Sequence, residues 1–244
     1  MEYIIAIDQG TTSTRSIVFD SQFAIMGKGQ EEFDQHFPKS GWVEHNPQDL
    51  LNTVISTCKK ALTDGKIRAN EIVALGITNQ RETTLLWDKV TGEPIYNAIV
   101  WQDRRTSKFC DELRRAGLEK LVTSVTGLLL DPYFSATKLK WLLDNVVGAR
   151  TKAEAGGLLF GTVDTYLIWH LTNGVVHATD ATNASRTMLY DINDGEWSSQ
   201  ICELLNIPRS ILPEVRNCSD DFGVCHEKIL GHKIPIKGVA GDQH

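Results

Sequence analysis

Apolar and polar residues change period several times along this chain. Residues 3–8 (YIIAID) and 14–20 (TRSIVFD) are β-branched runs that predict strands, and 25–33 (IMGKGQEEF) predicts a third after the turn SQFA. Together they read as a β-meander. From residue 47 the period becomes helical, with apolar residues at 50, 51, 54, 55, 58 and 62, Asn46 as N-cap, Pro47 at the first helical position and Gly65 as the stop. Strands return at 71–78, 83–88 and 97–102, with TGEP turning between the last two. Residues 105–150 carry the helical patterns FCDELRRAG, LEKLVTSVTG and ATKLKWLLDNV, and short mixed elements lead to a last strand, IPIKGVAGD. Strands, then helices, then strands again predict an α/β domain with covered sheet faces. There is no low-complexity linker and no internal repeat, but IAIDQG and VAGDQH each place Asp-Gln at the end of an apolar strand.

Composition changes this picture only by exclusion. The 244 residues suit one large domain or two small ones, and folding should bury about 70% of the extended surface. Lys plus Arg number 25 against 31 Asp plus Glu, a net charge of −6 with no run of five like charges, which argues against nucleic acid as a partner. The five cysteines are irregularly spaced with no C-x-x-C, so neither a disulfide framework nor a zinc site is expected, and the pattern fits a reducing cytoplasm. MEYIIAIDQG lacks a basic signal region and nothing later approaches 18 consecutive apolar residues, so neither secretion nor a membrane span is expected.

The first candidate chemistry lies at the bend after strand one. Gly10 lets backbone approach a ligand, successive N–H groups can form an anion-binding nest, and Thr11, Thr12 and Ser13 add hydroxyl donors, with Arg15 adding positive charge. Asp8 repels phosphate by itself, but suits Mg²⁺ held through waters between its carboxylate and phosphoryl oxygens. A tight hairpin turn uses the same residue types, so turn and phosphate loop both stand. Neither G-x-x-x-x-G-K-[ST] nor G-x-G-x-x-G occurs.

IDQGTTSTR resembles the first phosphate loop of the actin, Hsp70 and sugar-kinase superfamily. Seven further stretches resemble one branch, the FGGY carbohydrate kinases: PKSGWVEHNP (38–47), GITNQRETTLLWD (76–88), IVWQDRRT (99–106), YFSATKLKWLLDN (133–145), FGTVDTYLIWHLT (160–172), TNASRTMLYDI (182–192) and GVAGDQ (238–243). YFSATKLKWLLDN fits the family signature at Lys138, Trp141 and Asn145, and NQRET with WQDRRT points to the members that phosphorylate glycerol rather than xylulose or gluconate. The resemblance implies an RNase H-like domain, a mixed central sheet flanked by helices, spanning residues 1–244 as the N-terminal half of a longer cytoplasmic enzyme that assembles as a homodimer or homotetramer. The nucleotide-binding C-terminal domain would follow. It implies transfer of phosphate from ATP with Mg²⁺ to glycerol, and no activity from this half alone. It further implies that glycerol is held by Arg81, Glu82, Tyr133 and Asp242, with Trp101 packed on its carbons and Gln243 touching substrate or a metal-bound water. LGHKIPI, with one glycine and Lys233, departs from the glycine-rich, arginine-ended loop by which bacterial relatives bind fructose 1,6-bisphosphate, which counts against that regulatory site.

The residues have their own logic. A carboxylate accepts from two neighbouring hydroxyls while a guanidinium donates to their lone pairs, so Arg81 and Glu82 suit a polyol; a surface salt bridge is the plainer alternative. As neighbours on a regular strand they would face opposite sides, so both reach one ligand only if the backbone bends within TNQRET. Trp101 offers a flat wall or is simply core. Asp242, freed by Gly241, can take the proton of an attacking hydroxyl, although Gly-Asp is also a common turn. Ser185 and Arg186 receive no role, and the histidines read as structural. Other readings are a kinase for a five- or six-carbon sugar, an actin- or Hsp70-like nucleotide switch, and a non-catalytic binding module.

Overall fold

The computed structural model describes residues 2–244. In chain order, β1 (Tyr3–Gln9), β2 (Ser13–Phe19) and β3 (Ile25–Glu32) are followed by the short β4 (Glu44–His45), then α1 (Pro47–Asp64), β5 (Ile72–Asn79), β6 (Leu85–Asp88) and β7 (Ala98–Ile99). Four helices follow, α2 (Ser107–Arg115), α3 (Glu119–Thr126), α4 (Ser135–Asn145) and α5 (Ala149–Glu154), before β8 (Leu158–Gly161), α6 (Val163–Leu171), β9 (Ala178–Asp180) and α7 (Ala181–Ala184). The last third holds β10 (Tyr190–Asp191), β11 (Glu196–Trp197), α8 (Ser199–Leu204), β12 (Glu214–Arg216), β13 (Val224–Cys225), α9 (Glu227–Leu230) and β14 (Ile234–Gly241).

The central sheet has the order β13-β14-β5-β1-β2-β3. The meander β1-β2-β3 is antiparallel, whereas β5 runs parallel to both β1 and β14, so the expected mixed sheet is present. The parallel register aligns Gln9 with Asn79 and Asn79 with Gly241, bringing the carboxyl ends of β1, β5 and β14 to one edge. That edge carries the site.

Helix α1 forms where the sequence periodicity places it. Asn46 accepts from the Gln48 N–H at 3.1 Å, Pro47 stands at the start and Gly65 caps the end. Leu50, Leu51, Val54, Cys58 and Leu62 are buried against the sheet, each large aliphatic among them contributing about 1.5–3 kcal/mol. The contact also has a polar seam, Thr14 to Thr53 at 2.7 Å and Ser16 to Thr57 at 2.8 Å. Beside it the helix backbone comes so close that a Cβ on Gly27 or Gly29 would lie 2.3 Å from the carbonyl oxygen of Ala61 or Thr57.

A second core, built from α2 to α5, α8 and the inner faces of β6 and β8, packs around Leu86, Leu139, Leu142 and Phe160. The expected strand over 97–102 shrinks to Ala98–Ile99, paired with β4; Val100 leaves the ladder and Trp101 sits in the following turn. That run is apolar because it is enclosed. The side chain of Arg105, in the same stretch, is buried between the carboxylates of Asp103 and Glu44, 2.8 and 2.7 Å away, with its guanidinium 3.8 Å from the Trp42 ring. This clamp fixes the loop that presents Trp101.

Candidate active site

At the end of β1 the chain turns back through Gly10–Ser13, closed by the Gly10 N–H donating to the Ser13 carbonyl at 3.0 Å. The segment is a hairpin turn, and it is also anchored from below. Gln80 Nε2 donates to the Gly10 carbonyl at 3.0 Å and to Gln9 Oε1 at 3.1 Å, while Thr83 Oγ1 donates to Gln80 Oε1 at 2.9 Å. Thr11 Oγ1 accepts the indole N–H of Trp101 at 2.9 Å, which ties the loop directly to the turn after β7. Arg15 is exposed, cross-strand from Asp8, with its Nε 3.4 Å from Gln30 Oε1.

Asp8 is half-buried. Burial pushes its carboxyl above the usual range, the negative charge of Asp242 pushes the same way, and Arg15 opposes both. Mutual electrostatic influence between Asp8 and Asp242 follows from topology: β5 alone separates their strands, so the two carboxyl-bearing ends lie roughly 10 Å apart, two strand spacings.

The backbone bends where the sequence requires it to. Glu82 has φ 63°, and the Thr83 N–H donates across it to the Arg81 carbonyl at 2.7 Å, a three-residue turn that breaks the opposite-face alternation of a regular strand at these two residues. The Arg81 guanidinium, through Nε, donates to Asp242 Oδ1 at 3.1 Å. Gly241 permits this, since a Cβ there would lie 2.4 Å from Arg81 Cδ. The Glu82 carboxylate is 2% exposed and accepts from Arg186 Nε at 2.6 Å. Burial raises its pKa; Arg186 chiefly, then Arg81 and Lys138, hold it down. Tyr133 is raised too, by burial first and then by the charge of Glu82, against the opposing influence of Arg186 and Arg81. Its ring stands 5.4 Å from that of Trp101.

Arg81 with Asp242, Glu82 beside Arg81, and Tyr133 with Trp101 are thus brought near one another, and the Gly10–Ser13 turn adjoins them through Trp101. Gln243 is exposed in the turn after β14. Nothing in the sequence assigns Arg186 a role, yet it pairs with Glu82 from 104 positions away. Nor does the sequence place Lys138 in the site. This side chain is fully buried, with Nζ donating to the carbonyls of Tyr133, Phe134 and Glu82, and burial pushes it down to about 7. Ser135 Oγ also donates to the Glu82 carbonyl, at 3.0 Å. A partly buried polar chain holds the residue before Asp242: the Gly241 N–H donates to Thr182 Oγ1 at 2.8 Å, which donates to Asp180 at 2.6 Å, the N-cap of α7. Asn79 and Asn183 exchange side-chain hydrogen bonds of 3.0 and 3.1 Å beside it.

The mixed sheet and its site-bearing edge define a domain of the actin, Hsp70 and sugar-kinase class. The model of the FGGY family of carbohydrate kinases, N-terminal domain, matches residues 3–244, and the chain belongs to that family. It is 59% identical over 243 residues to a glycerol kinase of Roseobacter denitrificans, covering all of this chain and 49% of that protein. It is 61% identical over 241 residues to one of Rhizobium meliloti, covering 99% of this chain and 48% of that protein. Among solved structures, Plasmodium falciparum glycerol kinase with ADP superposes over the whole chain and 49% of its own length, with TM-score 0.94 at 35% identity. Xylulose kinase from Rhodospirillum rubrum, at 19% identity and TM-score 0.88 over 99% of this chain and 49% of its own, shares the fold. The chain spans about half the length of the curated relatives it matches.

Proposed function

We propose that the chain supplies the polyol pocket and first phosphate loop of a cytoplasmic ATP:glycerol 3-phosphotransferase. The observation that carries this is the Arg81–Asp242 ion pair beside the turned Glu82, with Trp101 linked to that turn by its N–H on Thr83 Oγ1 at 3.3 Å and to Thr11 by its indole. A nucleotide switch has no use for such a pocket. The relatives near 60% identity are named glycerol kinases, which favours glycerol over larger sugars.

In this reading Glu82 accepts from two neighbouring hydroxyls, Arg81 donates to them, and the Trp101 and Tyr133 rings cover the carbons. Asp242 orients the terminal hydroxyl and takes its proton as the oxygen attacks the γ-phosphorus of ATP; the bond to the bridging oxygen breaks and ADP leaves. With the Gly10 N–H closed onto the Ser13 carbonyl, the hydroxyls and N–H groups of Thr11 and Thr12 and the Ser13 hydroxyl receive phosphoryl oxygens. Mg²⁺ fits beside Asp8, a half-buried acid whose neighbouring acid Asp242 and lone facing Arg15 leave room for more positive charge. Among the described residues no cluster of three or more acidic, His or Cys side chains forms an all-protein cage, so waters and phosphates would complete its shell. When bound, the ion neutralises charge building on the transferring group.

The test pairs binding with turnover. Glycerol titrated into the labelled chain should move the Trp101 indole resonance, and Glu82→Ala should abolish that response while keeping a folded spectrum. A coupled ADP-release assay on these 244 residues alone should show no glycerol-dependent turnover, since they span about half the length of the glycerol kinases they match and closure of a complete site is what excludes water. Glycerol binding untouched by Glu82→Ala would overturn the assignment.

A further inference from the structure

We propose that Arg186 is a positioning residue that fixes Glu82 as a charged double acceptor, and thereby makes the pocket select alcohols with two neighbouring hydroxyls. The inference rests on the polyol reading of the pocket and adds a residue to it. Among the described residues Arg186 is the only side-chain donor to the Glu82 carboxylate, and it meets a single oxygen, Oε1, through Nε at 2.6 Å. Oε2 is left to accept from a ligand. The guanidinium is itself held by rings, 5.0 Å from the Phe134 centroid and 5.8 Å from that of Tyr133, so its direction is set before any ligand arrives.

The need for such a partner is electrostatic. Glu82 is almost wholly enclosed, and an enclosed carboxyl without a cation takes a proton rather than remain charged. The groups facing it are Arg81 and Tyr133 at the rim, Lys138 from α4 and Arg186 from the loop after α7. Arg81 is shared with Asp242, and Lys138 spends its donors on backbone carbonyls, the Glu82 carbonyl among them. Arg186 is therefore the cation committed to the carboxylate. A protonated Glu82 offers one donor in place of two acceptors, and loses the geometry that rejects an alcohol lacking one hydroxyl.

The test follows the side-chain carboxyl carbon of Glu82 by ¹³C NMR across pH in the wild-type chain, Arg186→Gln and Arg186→Lys, with glycerol and 1,3-propanediol titrations at neutral pH. Arg186→Gln should raise the Glu82 midpoint by about 1–3 pH units, the influence of one adjacent opposite charge. Arg186→Lys should restore part of the shift, and the preference for glycerol over 1,3-propanediol should fall toward unity in Arg186→Gln. An unmoved midpoint in a folded Arg186→Gln chain, or retained preference, overturns the proposal. If Arg186→Gln does not fold, Arg186→Lys must still show a smaller rise, and none overturns it. Wild-type chain that binds neither alcohol would refute the polyol reading and the selectivity, whereas the midpoint still reports on Arg186 itself.

Discussion

Replacing Gly241 with alanine should damage binding far more than folding. The added methyl would lie 2.4 Å from Arg81 Cδ and 2.7 Å from Cγ, where carbon atoms settle at about 3.5–4.0 Å. Gly241 is absent from the positive-φ positions, so alanine introduces no backbone strain, and the Arg81 stem must withdraw by roughly 1 Å. That carries Nε, now 3.1 Å from Asp242 Oδ1, out of hydrogen-bond range. A hydrogen bond to a charged group is worth about 1.5–3 kcal/mol, so glycerol affinity should fall about 10- to 150-fold. The pair is partly exposed and adds at most about 1 kcal/mol to stability, which moves Tm by only about 2–4 °C in a domain of this size. Glycerol titration followed at the Trp101 indole, with thermal unfolding alongside, reads both quantities. Unchanged affinity in a folded Gly241→Ala chain would refute the reasoning, and so would a large loss of Tm with affinity intact.

Other perturbations separate the scaffold from the site. Gly29→Ala should destabilise the chain by about 1–3 kcal/mol in urea unfolding, because its Cβ would meet the Thr57 carbonyl, a backbone atom that cannot step aside. Asp164 is buried beside Asp180, accepting from Thr162 and Thr179 at 2.5 and 2.6 Å, and burial pushes it from 3.8 up to about 7. The folded chain therefore binds this proton more tightly than the unfolded one, and stability from this group is lost as pH rises from about 4 to 7, by up to about 4 kcal/mol. Asp164→Asn should flatten that part of the stability profile; a difference curve independent of pH would contradict the assignment.

How much of this was legible in the sequence depended on how local each feature is. Helix α1 carries its own cap, stop and apolar stripe, and β1, β2 and β5 their β-branched alternation, so these elements lie within a residue or two of expectation. Helix α6 escaped because Val163 to Ile168 are all buried, which erases the polar face that reveals a helix. The bend at Glu82 was readable as a condition on chemistry, since two adjacent side chains cannot otherwise share a ligand. The Arg186 partnership was not: nothing in NASRT identifies a partner 104 residues away, and only the fold brings them together. The same holds for Trp101 and Thr11, separated by 90 positions, and for the pair Asn79 and Asn183.

In the proposed function an alcohol sits between the Arg81–Asp242 pair and the Trp101 ring, beside the Gly10–Ser13 turn. Intermolecular nuclear Overhauser effects between glycerol methylene protons and the chain test it most directly. Contacts to the rings of both Trp101 and Tyr133 are expected, abolished together in Glu82→Ala. Contacts to other surfaces, or ring contacts that survive that substitution, would contradict it.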